Sequence, residues 1–387
     1  MTQSAAAVPI DEPLRVLAVI PGSDCGPPGL AQDPGMIFVR RQVESLRRAG
    51  IDVSAFYLAS RTSPIRVLQE WRRLQTRIKE TRPHLLHAHY GTVTSAICAL
   101  ATVIPLVITF RGDDLHFQPQ ASWPRVALGH LLSQLSALRS SRMLCVSARL
   151  RQQLWWRKQN ALVVPTGVDM DLFHPQPKQR CRDLLGWHRT EPIVLFNAGW
   201  TPLIKGLDIV RAAVQVAEQR IGPLRLVVTR SNVPPDQMPL YLNAADCLVL
   251  ASFREGSPNI IKEALACNLP IVSVDVGDVP ERLRGVHPSR IVARDPYQIG
   301  CALAEILCLG QRSNGREAVQ ECSETQIAAI IAGVYRSAAT TKGRLNDKVY
   351  KPTKPKLYSL FCRGWKTIRR WRRERNVRRP SDTGFAC

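Results

Sequence analysis

The 387-residue sequence has no C-x-x-C motif, although it contains eleven scattered cysteines. A chain of this length, with 45% hydrophobic residues, can bury a sizeable core without disulfide bonds. The cysteine pattern therefore favours a reduced, cytoplasmic protein and argues against a zinc site. No acidic motif argues for a bound divalent ion either, so we expect no metal and no cofactor.

Recognisable export and membrane-spanning segments are also missing. The N-terminal sequence MTQSAAAVPIDEPLRVLAVI carries acids where a signal peptide needs a basic region, so we expect no export signal. The uncharged run from Tyr90 to Phe110 is long enough to cross a bilayer. However, Pro105 interrupts it, and it divides better into a helix (TVTSAICALA) and a strand (PLVITF). The pattern therefore favours two globular elements over one transmembrane helix.

Acidic residues are scarce: 31 Asp and Glu stand against 53 Lys and Arg, giving a net charge of +22. More than half of this charge lies in residues 342–387, which hold 15 basic residues, three acids and the sequence LYSLFCRGWKTIRRWRR. Such an excess of positive charge suggests an anionic partner, an anionic surface or a solvated tail.

The basic tail has three interpretations. An anionic cytoplasmic leaflet attracts basic segments by about 1 kcal/mol per charge. Nucleic acid would also attract them, but we find no recognition module and consider it an unlikely partner. The third interpretation is a solvated tail without a partner. The apolar residues of the tail recur at a roughly helical spacing, which favours contact with a membrane surface. They are Leu357, Leu360, Phe361, Trp365, Ile368 and Trp371.

A second basic region supports the membrane interpretation. Between Met36 and Arg82 there are 11 basic residues and four acids, many of them in predicted helices. We therefore predict a cytoplasmic protein that is peripheral on the inner face of the membrane.

Short apolar runs alternate with helical patterns along most of the chain. Near-continuous apolar strands indicate burial on both faces, and their alternation with helices predicts parallel sheets in two doubly wound α/β domains. The runs are LRVLAVI (14–20), HLLHAH (84–89), PLVITF (105–110), RMLCVS (142–147), LVVP (162–165), PIVLFNAG (192–199), LRLVVTR (224–230), DCLVLAS (246–252), LPIVSVDVG (269–277) and RIVA (290–293).

A polar, proline-containing stretch within residues 166–190 breaks this rhythm. We therefore divide the chain into an N-terminal domain (1–170), a C-terminal domain (171–339) and a basic aromatic tail (340–387).

The segment REGSPNIIKEALACNLPIVSVDVG (254–277) places two carboxylates around a helix start. Ser257 suits the N-cap and Pro258 the first helical position, so the pattern predicts a helix over 259–267. Asn268 is suited to end that helix in a left-handed conformation.

This geometry predicts a ligand site at the carboxyl edge of a parallel sheet. The amides of residues 256–259 would attract phosphate or sugar hydroxyls, and Gly256 would let a ligand approach the backbone. Glu255 would accept hydrogen bonds from sugar hydroxyls, and Glu263 would hold a ribose. The alternative is a capped helix with two solvated glutamates.

The stretch DCLVLASFREGSPNIIKEALACNLPIVSVDVGDVPE closely resembles the donor-binding signature of the family 4 retaining glycosyltransferases. The resemblance extends over about residues 14–335. It implies the GT-B fold, in which two Rossmann-like domains face each other across a cleft. The resemblance assigns the acceptor to the N-terminal domain (1–170) and the nucleotide-sugar donor to the C-terminal domain (171–339). It also implies donor-binding roles for the residues Glu255, Gly256, Ser257, Pro258, Asn259 and Glu263.

Other stretches resemble further parts of such enzymes. VVPTGVDMDLF (163–173) is similar to the interdomain segment, and NAGWTPLIKGLDIVRAA is similar to the segment that carries a diphosphate-binding lysine, here Lys205. QDPGMIFVRRQVESLRRAGIDV resembles the N-terminal glycine loop, which implies that Gly35 lies near the donor phosphates. HLLHAHYG and VITFRGDDL resemble two strand ends that line the cleft.

The sequence departs from the family pattern at two positions. Trp200 stands where many members have an arginine that pairs with the lysine, and Arg230 is a candidate substitute. Arg111 stands where many relatives have a histidine that contacts the sugar. His87 or His89 either lines the cleft instead or packs in the core.

Each of three acids near the predicted cleft has two interpretations. Asp113 and Asp114 are cleft residues or caps. Glu281 is a helix-start acid or a ligand, and its position favours the former.

The resemblance implies a retaining hexosyltransferase that moves a sugar from a UDP- or GDP-type nucleotide sugar to a saccharide or lipid-linked acceptor. Such a role belongs to cell-surface polysaccharide or glycolipid synthesis. Lys205 and Glu255 would carry the catalysis, without a required metal. The alternatives are a catalytically silent GT-B scaffold or binding module, and a GT-B sugar-nucleotide epimerase.

Overall fold

The computed structural model describes the backbone of residues 13–22, 36–59, 63–116, 123–199, 202–230 and 233–343. Two sheets, each with helices on both faces, make up this part of the chain. All strand pairs within them are parallel. The predicted pair of doubly wound α/β domains is confirmed.

The first sheet has six strands in the order β2-β1-β3-β4-β5-β6. Its strands are β1 (Arg15–Pro21), β2 (Asp52–Leu58), β3 (Leu85–His89), β4 (Leu106–Phe110), β5 (Arg142–Cys145) and β6 (Ala161–Val163). Every residue of β3 and β4 is buried, including the two histidines of β3, as their mostly apolar runs predict.

Strand β2 is the one strand of the first sheet that the apolar runs do not predict. Its sequence DVSAFYL mixes polar and apolar residues, and several of them are partly exposed. Because β2 lies at the edge of the sheet and pairs only with β1 in the described residues, it needs less apolar surface than a central strand.

The second sheet has five strands in the order β11-β10-β9-β7-β8. Its strands are β7 (Ile193–Asn197), β8 (Arg225–Thr229), β9 (Cys247–Leu250), β10 (Ile271–Val274) and β11 (Arg290–Val292). All five fall within apolar runs identified in the sequence.

Helices connect the strands in both halves. In the first half they are α1 (Ile37–Arg48), α2 (Pro64–Thr81), α3 (Thr92–Ala101), α4 (Trp123–Arg139) and α5 (Ala148–Gln152). In the second they are α6 (Lys178–Leu185), α7 (Pro202–Lys205), α8 (Leu207–Ile221), α9 (Met238–Ala244), α10 (Asn259–Ala266), α11 (Val279–Arg282), α12 (Pro296–Leu309), α13 (Gly315–Val319) and α14 (Glu324–Gly343).

The last helix, α14, returns to the first sheet. Its apolar side, which includes Ile327, Ile331 and Tyr335, packs into the core that also holds residues of β1 and α1. At its start, Ser45 of α1 donates a hydrogen bond to Glu324 at 2.9 Å. Most of the final helix of the predicted segment 171–339 therefore stabilises the first core, while the division into 1–170 and 171–339 stays a prediction.

Two further expectations concern membranes and cysteines. Within the described residues, helices are either too short or too polar to cross a bilayer. The eight cysteines in this part of the chain are free thiols. Five of these eight cysteines lie in the apolar cores of the two halves. The basic aromatic tail predicted for 340–387 lies almost wholly outside the described residues.

A buried histidine joins α14 to the first sheet. His87 lies on β3 and its two ring nitrogens contact the hydroxyls of Tyr335 at 2.6 Å and Thr109 at 2.7 Å. Burial, together with the charge of Arg111, lowers the pKa of His87 to about 3. The imidazole is therefore neutral in the folded protein at physiological pH.

We predict that His87→Gln reduces the acid sensitivity of folding. Wild-type His87 stays neutral when folded but takes up a proton near its ordinary pKa when unfolded, so stability falls as the pH drops below that value. This one group should lower the free energy of unfolding by about 1.4 kcal/mol between roughly pH 7.5 and pH 5.5. Urea denaturation at the two pH values measures the loss.

The matched control is His188→Gln, because His188 is exposed in the second half. It should leave the pH dependence of wild type unchanged. An equal pH dependence in His87→Gln and wild type would contradict the assigned neutral state.

Candidate functional site

The carboxyl ends of β7 and β9 define the candidate site. These neighbouring strands form the point where the strand order of the second sheet reverses, which is where open α/β sheets bind ligands. Lys205 follows β7 at the end of the short helix α7, and Glu255 lies in the loop between β9 and α10. The two side chains meet although they are 50 positions apart in sequence.

Lys205 and Glu255 form an ion pair. The Lys205 ammonium donates to Glu255 Oε1, and the hydroxyl of Ser252 donates to the same oxygen at 2.8 Å. The side chain of Lys205 is 27% exposed and that of Glu255 is 14% exposed, so both charged groups are partly buried. The sequence predicted both residues but not their direct contact, which depends on the sheet order.

The backbone around Gly206 positions the lysine. Gly206 has a φ of +81°, and a Cβ there would lie 2.5 Å from the carbonyl oxygen of Ala251. The guanidinium of Arg294 donates to that same carbonyl at 2.9 Å. The turn after α7 is therefore packed onto the end of β9, which brings Lys205 to the loop that carries Glu255.

Gly256 marks the point where the second half contacts the first. A Cβ on this glycine would lie 2.0 Å from the carbonyl oxygen of Arg111 and 3.1 Å from Val146. The neighbour that requires glycine at this position is the Arg111 carbonyl of the first half, and the approach of a ligand to the Gly256 backbone stays a prediction. Nearby, Arg254 pairs with Asp113 at 3.3 Å across the same boundary.

The start of α10 differs from the predicted N-cap. Pro258, with extended backbone, is the N-cap, and Asn259 is the first helical residue. The Ser257 hydroxyl instead donates to Asp278 at 2.9 Å and accepts from the buried Lys262 ammonium at 2.7 Å. A serine engaged by a buried cation and a carboxylate is not available to cap the helix. Asn268 has a φ of +56°, as predicted for the residue that follows the helix end.

Glu263 lies on α10, partly buried and beside the first half. Burial raises the pKa of its carboxyl, whereas the charges of Arg41 and Lys262 act in the opposite direction. Because Arg41 belongs to α1, this carboxylate senses charge from both halves. One turn earlier, the buried side-chain oxygen of Asn259 has no hydrogen-bond partner among the described atoms, and such an acceptor could serve a ligand.

Arg111 is held by the first half. Its guanidinium donates to Gln42 at 2.9 Å, lies 3.1 Å from His89 Nδ1, and stacks 4.7 Å from the centre of the Phe38 ring. Burial lowers the pKa of Arg111 to about 10, against the opposing effect of Asp114. The departure at this position thus places a fixed cation behind the loop that meets Gly256.

The two histidines of β3 pack in the interior. His87 and His89 have no exposed surface, and their rings lie 3.9 Å apart. Burial and neighbouring positive charge lower the pKa of His89 well below its usual range. Of the two interpretations left open by the sequence, the structure favours core packing over lining the cleft.

The remaining acids separate into distinct roles. Asp114 is buried and accepts backbone hydrogen bonds from Gly91, Arg111 and Gly112, so it caps the loop after β4. Asp113 is the half-exposed partner of Arg254. Glu281 is exposed in the first turn of α11, as expected for a helix-start acid.

Three further residues near the predicted donor site are Arg230, Gly35 and Trp200. Arg230 directly follows β8 and is exposed. Gly35 and Trp200 lie outside the described residues. The roles assigned to Arg230 and Gly35 therefore remain predictions.

Comparison with known proteins identifies the family. Residues 30–172 match the family described as Glycosyltransferase Family 4, and residues 191–308 match the Glycosyl transferases group 1 domain. Together these matches cover more than half of the chain and follow its two halves. The chain is a family 4 glycosyltransferase. The predicted GT-B architecture and transferase activity are confirmed, and neither the silent scaffold nor the epimerase is favoured.

Curated relatives agree with this assignment. The glycosyltransferase is 26% identical to TuaC of Bacillus subtilis, named for teichuronic acid biosynthesis, over 67% of this chain and 71% of TuaC. It is 30% identical to a D-inositol 3-phosphate glycosyltransferase of Segniliparus rotundus over 30% of this chain. That second match spans only 32% of the relative's length.

Solved structures share the fold at low identity. Sucrose-phosphate synthase from Thermosynechococcus elongatus superimposes with a TM-score of 0.68 at 18% identity, covering 85% of this chain and all of that one. HepE of Anabaena, in complex with UDP and glucose, gives 0.64 at 16% identity, covering 84% of this chain and all of HepE.

We predict that Gly256→Ala disrupts the contact between the two halves. The new methyl group would meet a backbone carbonyl that has no flexible side chain to move aside. Glycosyl transfer should fall at least about tenfold and the free energy of unfolding by about 1–3 kcal/mol. Turnover and urea denaturation measure the two effects.

Gly333→Ala is the matched control, since a Cβ at this glycine of α14 meets nothing within 4 Å. It should keep activity and stabilise the helix by about 0.5–1 kcal/mol. Wild-type activity and stability in Gly256→Ala would show that the loop is not held against Arg111.

Proposed function

We propose that this glycosyltransferase moves a sugar, with retention of anomeric configuration, from a nucleoside-diphosphate sugar to a saccharide or lipid-linked acceptor. The observation that carries the proposal is the Lys205–Glu255 pair at the reversal point of the second sheet, beside the boundary with the first half. This arrangement offers one cation and one carboxylate to the two ends of a sugar diphosphate.

Lys205 would stabilise the leaving group. When the bond between the anomeric carbon and the diphosphate oxygen breaks, the electron pair leaves with the nucleoside diphosphate. A preorganised ammonium, together with the amino terminus of α10, favours that developing negative charge. Glu255 holds the ammonium in place, and the diphosphate would compete with Glu255 for it.

Glu255 and Glu263 would bind different parts of the donor. Glu255, fixed by Ser252 and Lys205, would accept hydrogen bonds from sugar hydroxyls and favour the positive charge that grows on the ring. Glu263 would hold the ribose, and the unpartnered Asn259 oxygen offers a further acceptor on the same helix. The acceptor hydroxyl oxygen then forms the new bond to the anomeric carbon, and its proton passes to the departing diphosphate oxygen.

A uridine nucleotide is the donor carrier that the comparisons favour. The HepE structures contain UDP, and one contains UDP-glucose. The resemblance to TuaC, which is named for teichuronic acid biosynthesis, supports a role in cell-surface polysaccharide synthesis. The shorter matches to inositol phosphate glycosyltransferases leave a small-molecule acceptor as a second substrate class to test.

We expect Lys205→Gln and Glu255→Gln each to lower kcat about 10²–10³-fold, because each removes a charge that the transition state uses. Glu263→Ala should mainly raise KM for the donor, since ribose contacts are the same before and during reaction. Transfer and hydrolysis measured with a panel of UDP-, GDP- and ADP-sugars test these effects and the choice of base.

Lys178→Gln is the control, because Lys178 forms a comparable ion pair with Asp246. Asp246 directly precedes β9, at the opposite end of that strand from the candidate site. It should leave kcat and KM near wild type. Failure of every nucleotide sugar to bind, together with an unchanged Glu263→Ala variant, would refute the donor site.

The basic tail is proposed to hold the enzyme at the cytoplasmic face of an anionic membrane, on its sequence alone. Removing the tail after Ala339 deletes most of the basic excess of 342–387, so partition into anionic vesicles should fall at least about tenfold. Liposome sedimentation of the full and shortened chains measures this, with donor turnover as the check on folding. Equal sedimentation would show that the tail is not an anchor.

A further inference from the structure

Helix α4 of the first half has its apolar and polar sides reversed. The outward side carries leucines at helical spacing that are 41–56% exposed: Leu128, Leu131, Leu135 and Leu138. The buried positions of the same helix are instead Ser133, Gln134, Ser136 and Ala137. A surface helix of a soluble protein normally shows the opposite arrangement.

Hydrogen bonds explain the polar inner side. The Ser133 hydroxyl donates to the carbonyl of Asp114 at 2.8 Å and accepts from the amide of Thr92 at 2.7 Å. The Gln134 side chain binds the backbone of Gln153 and Trp155, both at 2.9 Å. The inner polar residues are therefore needed to attach α4, whereas nothing in the described structure uses the leucines.

The segment after α5 extends the apolar surface. Trp155 and Trp156 are exposed and stack edge to face, and the Trp155 ring packs on His130 of α4. Arg157 follows them and donates to the last carbonyls of α4, including that of Leu138 at 3.2 Å. We call α4 together with residues 155–158 the α4 face.

The charge of the α4 face is of one sign. From Leu115 to Val168 the chain contains seven Lys and Arg and no Asp or Glu. Arg125 is exposed near the start of the leucine stripe, and Lys158 is exposed beside the tryptophans. An apolar strip with tryptophans and a cationic margin matches the boundary between lipid headgroups and acyl chains.

We propose that the α4 face docks on the surface of an anionic lipid bilayer, with its leucines and tryptophans in the interfacial layer. This contact is distinct from the basic tail and does not depend on the identity of the donor. It places the first half, which the family resemblance assigns to the acceptor, directly against the membrane.

Charge distinguishes the bilayer from other occupants. A symmetric dimer through this face would bring two acid-free surfaces together, and the tail of residues 342–387 is itself strongly basic. Neither offers the negative charge that complements the margin. Anionic phospholipid supplies both this charge and the apolar layer.

The test compares two double variants of the full chain. Leu131→Gln/Leu135→Gln replaces the two central leucines of the stripe with glutamine, which has good helix propensity. Leu184→Gln/Leu309→Gln is the matched control, because both leucines are exposed in the second half. Partition is measured by sedimentation with phosphatidylcholine vesicles containing about 30% phosphatidylglycerol, alongside pure phosphatidylcholine vesicles.

We expect the α4 variant to partition into the anionic vesicles at least tenfold more weakly than wild type, and the control to stay within twofold. All three proteins keep the tail, so its contribution is the same in each. Wild type should prefer anionic over neutral vesicles. Soluble donor turnover, which needs no membrane, should be equal in all three and reports on folding.

Equal partition of wild type and the α4 variant would overturn the proposal. So would sedimentation velocity that shows a wild-type dimer and a monomeric α4 variant, because the face would then bind a second copy. Loss of donor turnover in every protein would refute the proposed function without changing the membrane comparison.

Discussion

The contact between the loop at Gly256 and the backbone of Arg111 is the constraint on which the candidate site depends. It brings the carboxyl edge of the second sheet against that of the first with no side chain between them. The adjacent Arg254–Asp113 pair adds charge to the same boundary. Since Glu255 immediately precedes the glycine, any shift of this contact moves the carboxylate that holds Lys205.

The two halves contribute unequally to the site. The second supplies the ion pair and α10, while the first supplies fixed positive charge from Arg41 and Arg111 behind them. Arg111 is immobilised by Gln42, His89 and the Phe38 ring, and its position depends on α1 as much as on β4. A cation in this setting contributes fixed positive charge to the boundary between the two halves.

Helix α14 closes the arrangement by returning from the second half to the first core. Its Tyr335 hydroxyl contacts His87, whose other nitrogen contacts Thr109 of β4. Strand β4 ends at the loop that meets Gly256 of the second half. Core packing, a neutral buried histidine and the boundary between the halves are therefore physically linked through β3 and β4.

The sequence by itself determined the repeated strands and the two sheets, and its resemblance to the family singled out Lys205, Glu255 and Glu263 as candidate site residues. Buried parallel strands are mostly apolar, and the motif after β9 is contiguous in sequence, so both are visible along the chain. The apolar runs did not predict strand β2, because an edge strand tolerates polar residues. The role of Ser257 was misassigned because Asp278 reaches it only through the fold.

Only the tertiary structure decided that Lys205 meets Glu255, that Gly256 packs against the carbonyl of Arg111, and that α14 belongs to the first core. It also decided that the leucines of α4 point outward while its serines point inward. Each of these outcomes depends on which distant segments are neighbours. A sequence pattern reports the periodicity of a helix or strand, but not which side of it finds a hydrogen-bond partner.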